Sequence, residues 1–319
     1  MTKLIRYLFV AGALLAAILA SLAFGATETT FQQILSEISQ QRGVVYQFRL
    51  PRTLSAVLVG FCFAVSGTLL QALTRNPLAS PDLLGVTSGG GLAAVIAILV
   101  GGSTVGPHIT FISFCGAGLV AAVIWLLGHN ASPQRFILTG VALSAFTQAI
   151  ITLLLVTYAP SAAEAMIWLK GSLFGRGWVH VKHLLPWAVV VLLGSLAIAY
   201  QANPLVLGDT ISTTLGIPLK RLKTGLWTLS VAAAAAAVAV AGTIGFVGLI
   251  VPHVSRLLSG SDLRLQLPFS GALGALFVLS ADTLGRVIAP PLEIPAGLIC
   301  AFLGAPYFGY LLWKGKTNI

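Results

Sequence analysis

Apolar runs of about twenty residues recur along the chain, separated by short connections where charge, proline and glycine collect. A helix rises 1.5 Å per residue, so roughly 20 apolar residues cross a bilayer core. That criterion predicts about ten spanning helices, near residues 5–25, 53–74, 83–102, 107–128, 136–157, 184–200, 224–243, 246–259, 268–285 and 294–313, the eighth being short. The first run, Tyr7 to Phe24 behind Lys3 and Arg6, is too long for the core of a signal peptide and reads as a span. The stretch 48–88 organises the rest. Arg49 and Arg52 flank Pro51, an apolar run extends from Leu54 to Leu73, and Arg75-Asn76-Pro77-Leu78-Ala79-Ser80-Pro81-Asp82 closes it. Basic residues at both ends of one span are unusual, because positive charge normally collects on the cytoplasmic side.

Composition narrows the class. Of 319 residues, 57% are hydrophobic and 8% charged, against about 25% charged in soluble domains. The expectation is an all-α integral membrane protein, multi-pass, with residues 1–319 as one transmembrane domain and lipid as its solvent. The net charge of +10 is dispersed between apolar runs, so it is no nucleic-acid footprint. The three cysteines, Cys62, Cys115 and Cys300, lie within apolar runs and read as packing residues. With the N-terminus in the cytoplasm, the spans divide the basic residues 11 inside to 7 outside. The outer set is Arg42, Arg49, Arg52, Lys170, Arg176, Lys182 and Arg286.

Three connections are long enough to carry structure. The outer loop at about 26–50 spaces Phe31, Ile34, Leu35 and Ile38 as a short amphipathic helix. The outer loop at about 158–183 contains a short helix within Ala162 to Leu173, with Trp168 and Trp178 suited to the interfacial belt. The cytoplasmic loop at about 201–223 carries Leu205, Val206, Leu207, Ile211, Leu215 and Ile217, although it should lie outside the bilayer. Asp209 or Thr210 caps a short helix there, and Gly216-Ile217-Pro218 ends it. Its apolar patch is either a protein-binding surface or packs under its own bundle. Gly85/Gly89 and Gly102/Gly106 have the GxxxG spacing that lets helices approach closely in lipid. A faint likeness between spans 2–5 and 7–10 predicts an inverted repeat.

Catalytic signatures are missing. Gly315-Lys316-Thr317 looks like the end of a phosphate-binding loop, but its first glycine would fall at Tyr310. The histidines do not cluster, and no metal or cofactor motif is present. The acidic residues fall at or near the predicted span ends, whereas ion-coupled carriers usually keep one at mid-membrane. The energy source is therefore expected in a separate motor. Arg49, Arg52 and Arg286 form an outer basic rim, read either as a docking surface for an acidic partner or as local devices. Those devices are headgroup snorkelling for Arg49 and Arg52, and an i,i+4 pair with Asp282 for Arg286.

The chain resembles the binding-protein-dependent permease family that imports ferric siderophores and vitamin B12. The resemblance rests on Arg49-Leu50-Pro51-Arg52, on Gln71 through Arg75-Asn76-Pro77-Leu78-Ala79-Ser80-Pro81 to Leu84-Gly85, and on Trp168-Leu169-Lys170-Gly171-Ser172-Leu173. Further matches are Leu207-Gly208 with Thr214-Leu215-Gly216, Gly245 through Pro252-His253 with Arg256, Asp282 with Arg286, and Glu293-Ile294-Pro295-Ala296-Gly297 with Gly304-Ala305-Pro306. Ala296 departs from the family's usual valine. Thr139 to Ser144, Gly175-Arg176 and Pro290-Pro291-Leu292-Glu293 place it nearest the ferric-citrate permeases. The resemblance implies a type II ABC importer: ten helices per subunit, a second permease subunit identical or paralogous, two cytoplasmic ATPases and an outer binding protein, in the bacterial cytoplasmic membrane. It implies docking through Arg49, Arg52 and Arg286. It also implies ATPase coupling through Leu205, Leu207, Gly208, Asp209, Ile211, Thr214, Leu215 and Gly216, with no covalent chemistry. The rival expectation is an ion-coupled secondary carrier.

Overall fold

The computed structural model describes residues 3–25, 30–159, 162–289 and 292–315. Pro290, Pro291 and Lys316 lie outside them. Among the described residues the chain is helical throughout: α1 (Lys3–Ala23), α2 (Phe31–Gln40), α3 (Leu50–Thr74), α4 (Val86–Gly101), α5 (Ile109–Gly128), α6 (Pro133–Thr157), α7 (Ala162–Leu169), α8 (Trp178–Ala202), α9 (Asp209–Thr214), α10 (Leu219–Ala241), α11 (Val247–Ser259), α12 (Leu263–Val287) and α13 (Ala296–Gly315). Seven of these, α1, α3, α5, α6, α8, α10 and α12, are long and apolar enough to cross a membrane. The expected third, eighth and tenth spans fall on shorter apolar stretches: α4, α11 and Ala296–Tyr310 of α13.

The hub is α3. Its most apolar stretch is 78% buried, against 11% in α1 and 17% in α6, so α3 is surrounded by protein while α1 and α6 present most of their surface outward. It packs on α12, α10, α11 and α8. Two glycine pairs set the closest approaches: a Cβ on Gly60 would overlap the carbonyl of Gly274 in α12, and one on Gly67 would overlap that of Gly248 in α11. Small residues are what bring backbones this close where hydrophobicity alone does not drive helices together. Hydroxyl pairs then cross the interfaces: Ser66–Ser230 at 2.8 Å, Thr68 to Ser270 at 2.8 Å and Ser88–Thr147 at 2.7 Å. The glycine spacings picked from sequence divide. Gly89 packs against Val120 and Gly116 of α5, whereas Gly102 and Gly106 sit in a 3₁₀ turn where a Cβ would meet nothing.

The expected loop helices form as α2, α7 and α9. Thr30 and Gln33 close a capping box on α2, and Ile34 packs with Leu22 and Val45. Leu35, on the predicted apolar face, is exposed, and the Phe31 side chain lies outside the described ones. Neither Asp209 nor Thr210 caps α9. Gly208 is its N-cap, with φ 116° and no side-chain cap bond, and the Asp209 carboxylate turns to cations instead.

Candidate functional site

The predicted site residues gather at opposite ends of α3. At the N-terminal end, Arg52 is held by two carboxylates, Asp282 at 2.9 Å and Glu293 at 2.8 Å. Arg286, one turn beyond Asp282, approaches the same carboxylate at 3.4 Å. It also donates to the carbonyls of Ser21 and Phe24 and, at 2.8 Å, to the Ser21 hydroxyl. Arg49 donates to the carbonyls of Leu22 at 2.8 Å and Ala23 at 3.0 Å. The last carbonyls of a helix lack partners within it, and cations near that end also meet its negative dipole. Arg49 and Arg286 thus cap α1. The open basic rim expected from sequence is mostly covered: Arg49 is 6% exposed, and the side chains of Arg52 and Arg286 are 13% and 7% exposed. Glu293, 33% exposed, is the most accessible member of the network.

At the other end of α3, Arg75 takes a left-handed C-cap conformation, φ 52°, and turns towards the loop at 203–218. Asp209 lies 3.7 Å from Arg75 and 2.7 Å from Lys223 at the start of α10. One carboxylate therefore ties α9 to α3 and α10. The two open readings of the apolar patch both hold, for different residues. Leu205 is fully buried in the core and Ile217 packs against it, whereas Ile211 and Leu215 are 46% and 63% exposed. Gly208 is half-buried, Thr214 and Gly216 are exposed, and the Leu207 side chain lies outside the described ones.

Between these ends stands a carboxylate that the sequence placed at a span boundary. After Arg75 the chain runs back beside α3 as an irregular segment before α4 begins. Pro81 lies against Gly248, which also packs on Phe63 and Gly67. Phe63 is eleven residues from Thr74, about 16 Å along the helix axis. Asp82 therefore sits near half-depth, and the reading that the acidic residues all fall at or near span ends, with none kept at mid-membrane, is corrected. The reason is that the third apolar run is not helical from its start: residues 83–85 form turns, and helix begins at Val86. The Asp82 carboxylate accepts hydrogen bonds from the Thr87 hydroxyl in the first turn of α4 and from the Phe246 N–H at the start of α11. Two short helices thus present their N-termini to one carboxylate, where unpaired N–H groups favour negative charge. Phe246 holds φ 67° there. Sequence reasoning missed this junction, together with the Arg52–Glu293 and Arg75–Asp209 pairs; Pro81-Asp82 before a glycine was the only local signal. Among the described residues no group of three or more His, Cys, Asp or Glu is placed to hold a metal.

Residues 13–314 match the model of the FecCD transport family. The chain belongs to that family. This FecCD-family chain is 41% identical over 271 residues to the Fe(3+)-citrate import system permease protein YfmE of Bacillus subtilis, covering 84% of this chain and 81% of that one. It is 38% identical over 315 residues to the Fe(3+) dicitrate transport system permease protein FecD of Escherichia coli, covering 97% and 98%. Among solved structures it matches an inward-facing metal-chelate type ABC transporter with a TM-score of 0.86 and 31% identity, over 97% of this chain and 99% of that one. The family is a membrane permease component of ABC transporters, so this chain is a multi-pass transport subunit and not an enzyme.

Proposed function

We propose that this chain is the permease subunit of a binding-protein-dependent ABC importer that moves an iron(III) chelate, of the ferric citrate or siderophore class, across the bacterial cytoplasmic membrane. The observation that carries the reading is the exposed apolar pair formed by Ile211 on α9 and Leu215 at its C-cap, fastened through Asp209 to the far end of the helix that holds Arg52. Family membership and relatives handling ferric citrate support the cargo. In this reading α9 seats on a cytoplasmic ATPase, and ATP-driven closure of two such motors moves α3 through the Arg75–Asp209–Lys223 contacts. The outer binding protein docks at the opposite end, over Arg49, Arg52 and Arg286. Because those arginines already have internal partners, an incoming acidic side chain displaces Glu293 from Arg52 rather than meeting a free cation. A second permease subunit completes the path. The three short helices count as spans, giving ten, and α4 with α11 are the equivalent broken helices of an inverted repeat.

Asp82 favours one rival, an ion-coupled carrier, because such proteins keep a mid-membrane carboxylate. Uptake of radiolabelled ferric citrate into proteoliposomes separates the two. The importer requires the ATPase, ATP and the binding protein, and is indifferent to a collapsed ion gradient. Uptake driven by a proton or sodium gradient without the ATPase would overturn this proposal.

A further inference from the structure

The Arg52 end of the bundle also carries a cleft lined by none of the residues placed in the transport reading above. α5 and α8 both pack on α10, and meet each other where the rings of Phe114 and Trp187 lie 4.8 Å apart. The two rings border a cavity of about 350 Å³. Phe111, Phe114 and Trp187 form its apolar walls, Ala236, Ala239 and Val240 of α10 its back, and His108 and His183 its rim. Positions along the helices agree on its depth. Phe114 is six residues from His108 and Trp187 nine from the start of α8, so the cleft runs about 9–13 Å inward from the ends of α5 and α8. Its flanks carry exposed apolar side chains, Phe111, Val179, Leu185 and Val190, so it opens sideways onto lipid.

The polar side of this cleft is one-sided in charge. His180, His183 and Trp187 are spaced by three and four residues on α8, so they form one stripe leading down into the cleft, and Arg176, just before the helix, joins it through its contact with His180. Burial pushes the Arg176 guanidinium down, and its Nε is buried with no hydrogen-bond partner among the described residues. Its Nη1 lies 3.3 Å from His180 Nε2, while His180 Nδ1 lies 3.2 Å from the Gly177 N–H. A neutral imidazole carries one N–H and one acceptor nitrogen. Whichever nitrogen holds the proton, one of these contacts sets donor against donor. The stripe thus has donors in excess and, among the described residues, no carboxylate in a salt bridge with Arg176.

We propose that the cleft holds one phospholipid of the adjoining leaflet. Its upper acyl chain lies between α5 and α8 against Ala239, and its phosphate accepts hydrogen bonds from the rim histidines and from the Arg176–His180 pair. A phosphodiester matches this chemistry because it brings several acceptor oxygens and a negative charge on a chain that an apolar slot accepts. The site does not depend on which chelate is carried.

The test is native mass spectrometry of the full chain in mild detergent, titrated with phosphatidylglycerol and, separately, with diacylglycerol of the same acyl chains. One phosphatidylglycerol per chain should be retained at a concentration that leaves diacylglycerol unbound. His183→Leu and Arg176→Gln should each weaken retention about three- to tenfold, the size of one lost hydrogen bond, and Ala239→Phe, which fills the back of the cleft, should abolish it. Phosphatidylglycerol with brominated chains provides a readout independent of those variants: it should quench the fluorescence of the unmodified chain more than that of Trp187→Phe. Equal retention of both lipids, retention unchanged in all three variants, or equal quenching with and without Trp187 would leave only annular lipid and overturn the proposal.

Discussion

Asp282 shows how burial decides the weight of a charge. It is 2% exposed and faces two guanidinium groups, Arg52 and Arg286. Removing one partner of a buried pair leaves the other charge uncompensated, at a cost of about 3–5 kcal/mol. Asp282→Ala leaves Arg286 without a carboxylate and Arg52 with Glu293 alone, so the variant should lose stability of that order, read as a large drop in the thermal unfolding midpoint in detergent. Glu293 offers the contrast. It is a third exposed and shares Arg52 with Asp282, and exposed pairs contribute about 0–1 kcal/mol. Glu293→Gln should therefore unfold near the unmodified temperature, while a binding protein that displaces Glu293 should bind it at least as well. Tighter unfolding losses in Glu293→Gln than in Asp282→Ala would reverse this ordering. Asp82 adds a third case, in which the carboxylate joins two elements. Asn at this position keeps one acceptor for two donors, Thr87 and Phe246. Hydrogen bonds to charged groups contribute about 1.5–3 kcal/mol, so Asp82→Asn should loosen the α4–α11 junction and slow ATP-driven uptake more than tenfold. Binding of the ATPase, proposed at the other end of α3, should be unchanged.

At the scale of elements, the long helices were legible and the broken ones were not. A run of twenty apolar residues has one solution in lipid, because every backbone polar group must be paired within the segment. For that reason α1, α3, α5, α6, α8, α10 and α12 fall close to the predicted ranges. An apolar run that is partly turn looks the same in hydropathy. Residues 83–85 were counted as helix, and the half-depth of Asp82 was lost with them. The rim arginines were found as a set, since Arg-Leu-Pro-Arg and Asp282 with Arg286 are local patterns. Their partners at the end of α1 and at Glu293 were not, because those contacts join residues more than twenty positions apart. The short helix α9 was legible from its apolar content, but only packing could separate Leu205, which is buried, from Leu215, which is not. That separation gives the element its prediction. Leu215→Asp alters an exposed side chain and should leave the permease folded, yet release the ATPase during copurification; retention of the ATPase would move the contact away from α9.

For the molecule as a whole, the composition of its outward faces distinguishes lipid from protein neighbours. The exposed face of α1 is formed by Leu4, Leu8, Phe9, Leu15 and Leu19, with no polar side chain along its length beyond the first turns. The outward face of α6 mixes Leu138, Phe146 and Leu153 with exposed Gln148 and Thr152. A glutamine amide facing hydrocarbon would have no partner, at a cost of several kcal/mol, so this face is built to meet protein or a hydrated path. α6 also packs on α4, beside the Asp82 junction. The second permease subunit is therefore expected across α6, with the path between them. In a background where exposed Cys115 is changed to Ser, Gln148→Cys should form an oxidative cross-link to the second permease in membranes. Leu15→Cys, equally exposed but on α1, should not. A cross-link at Leu15 in place of Gln148 would put the partner across α1 and would separate the Asp82 junction from the transport path.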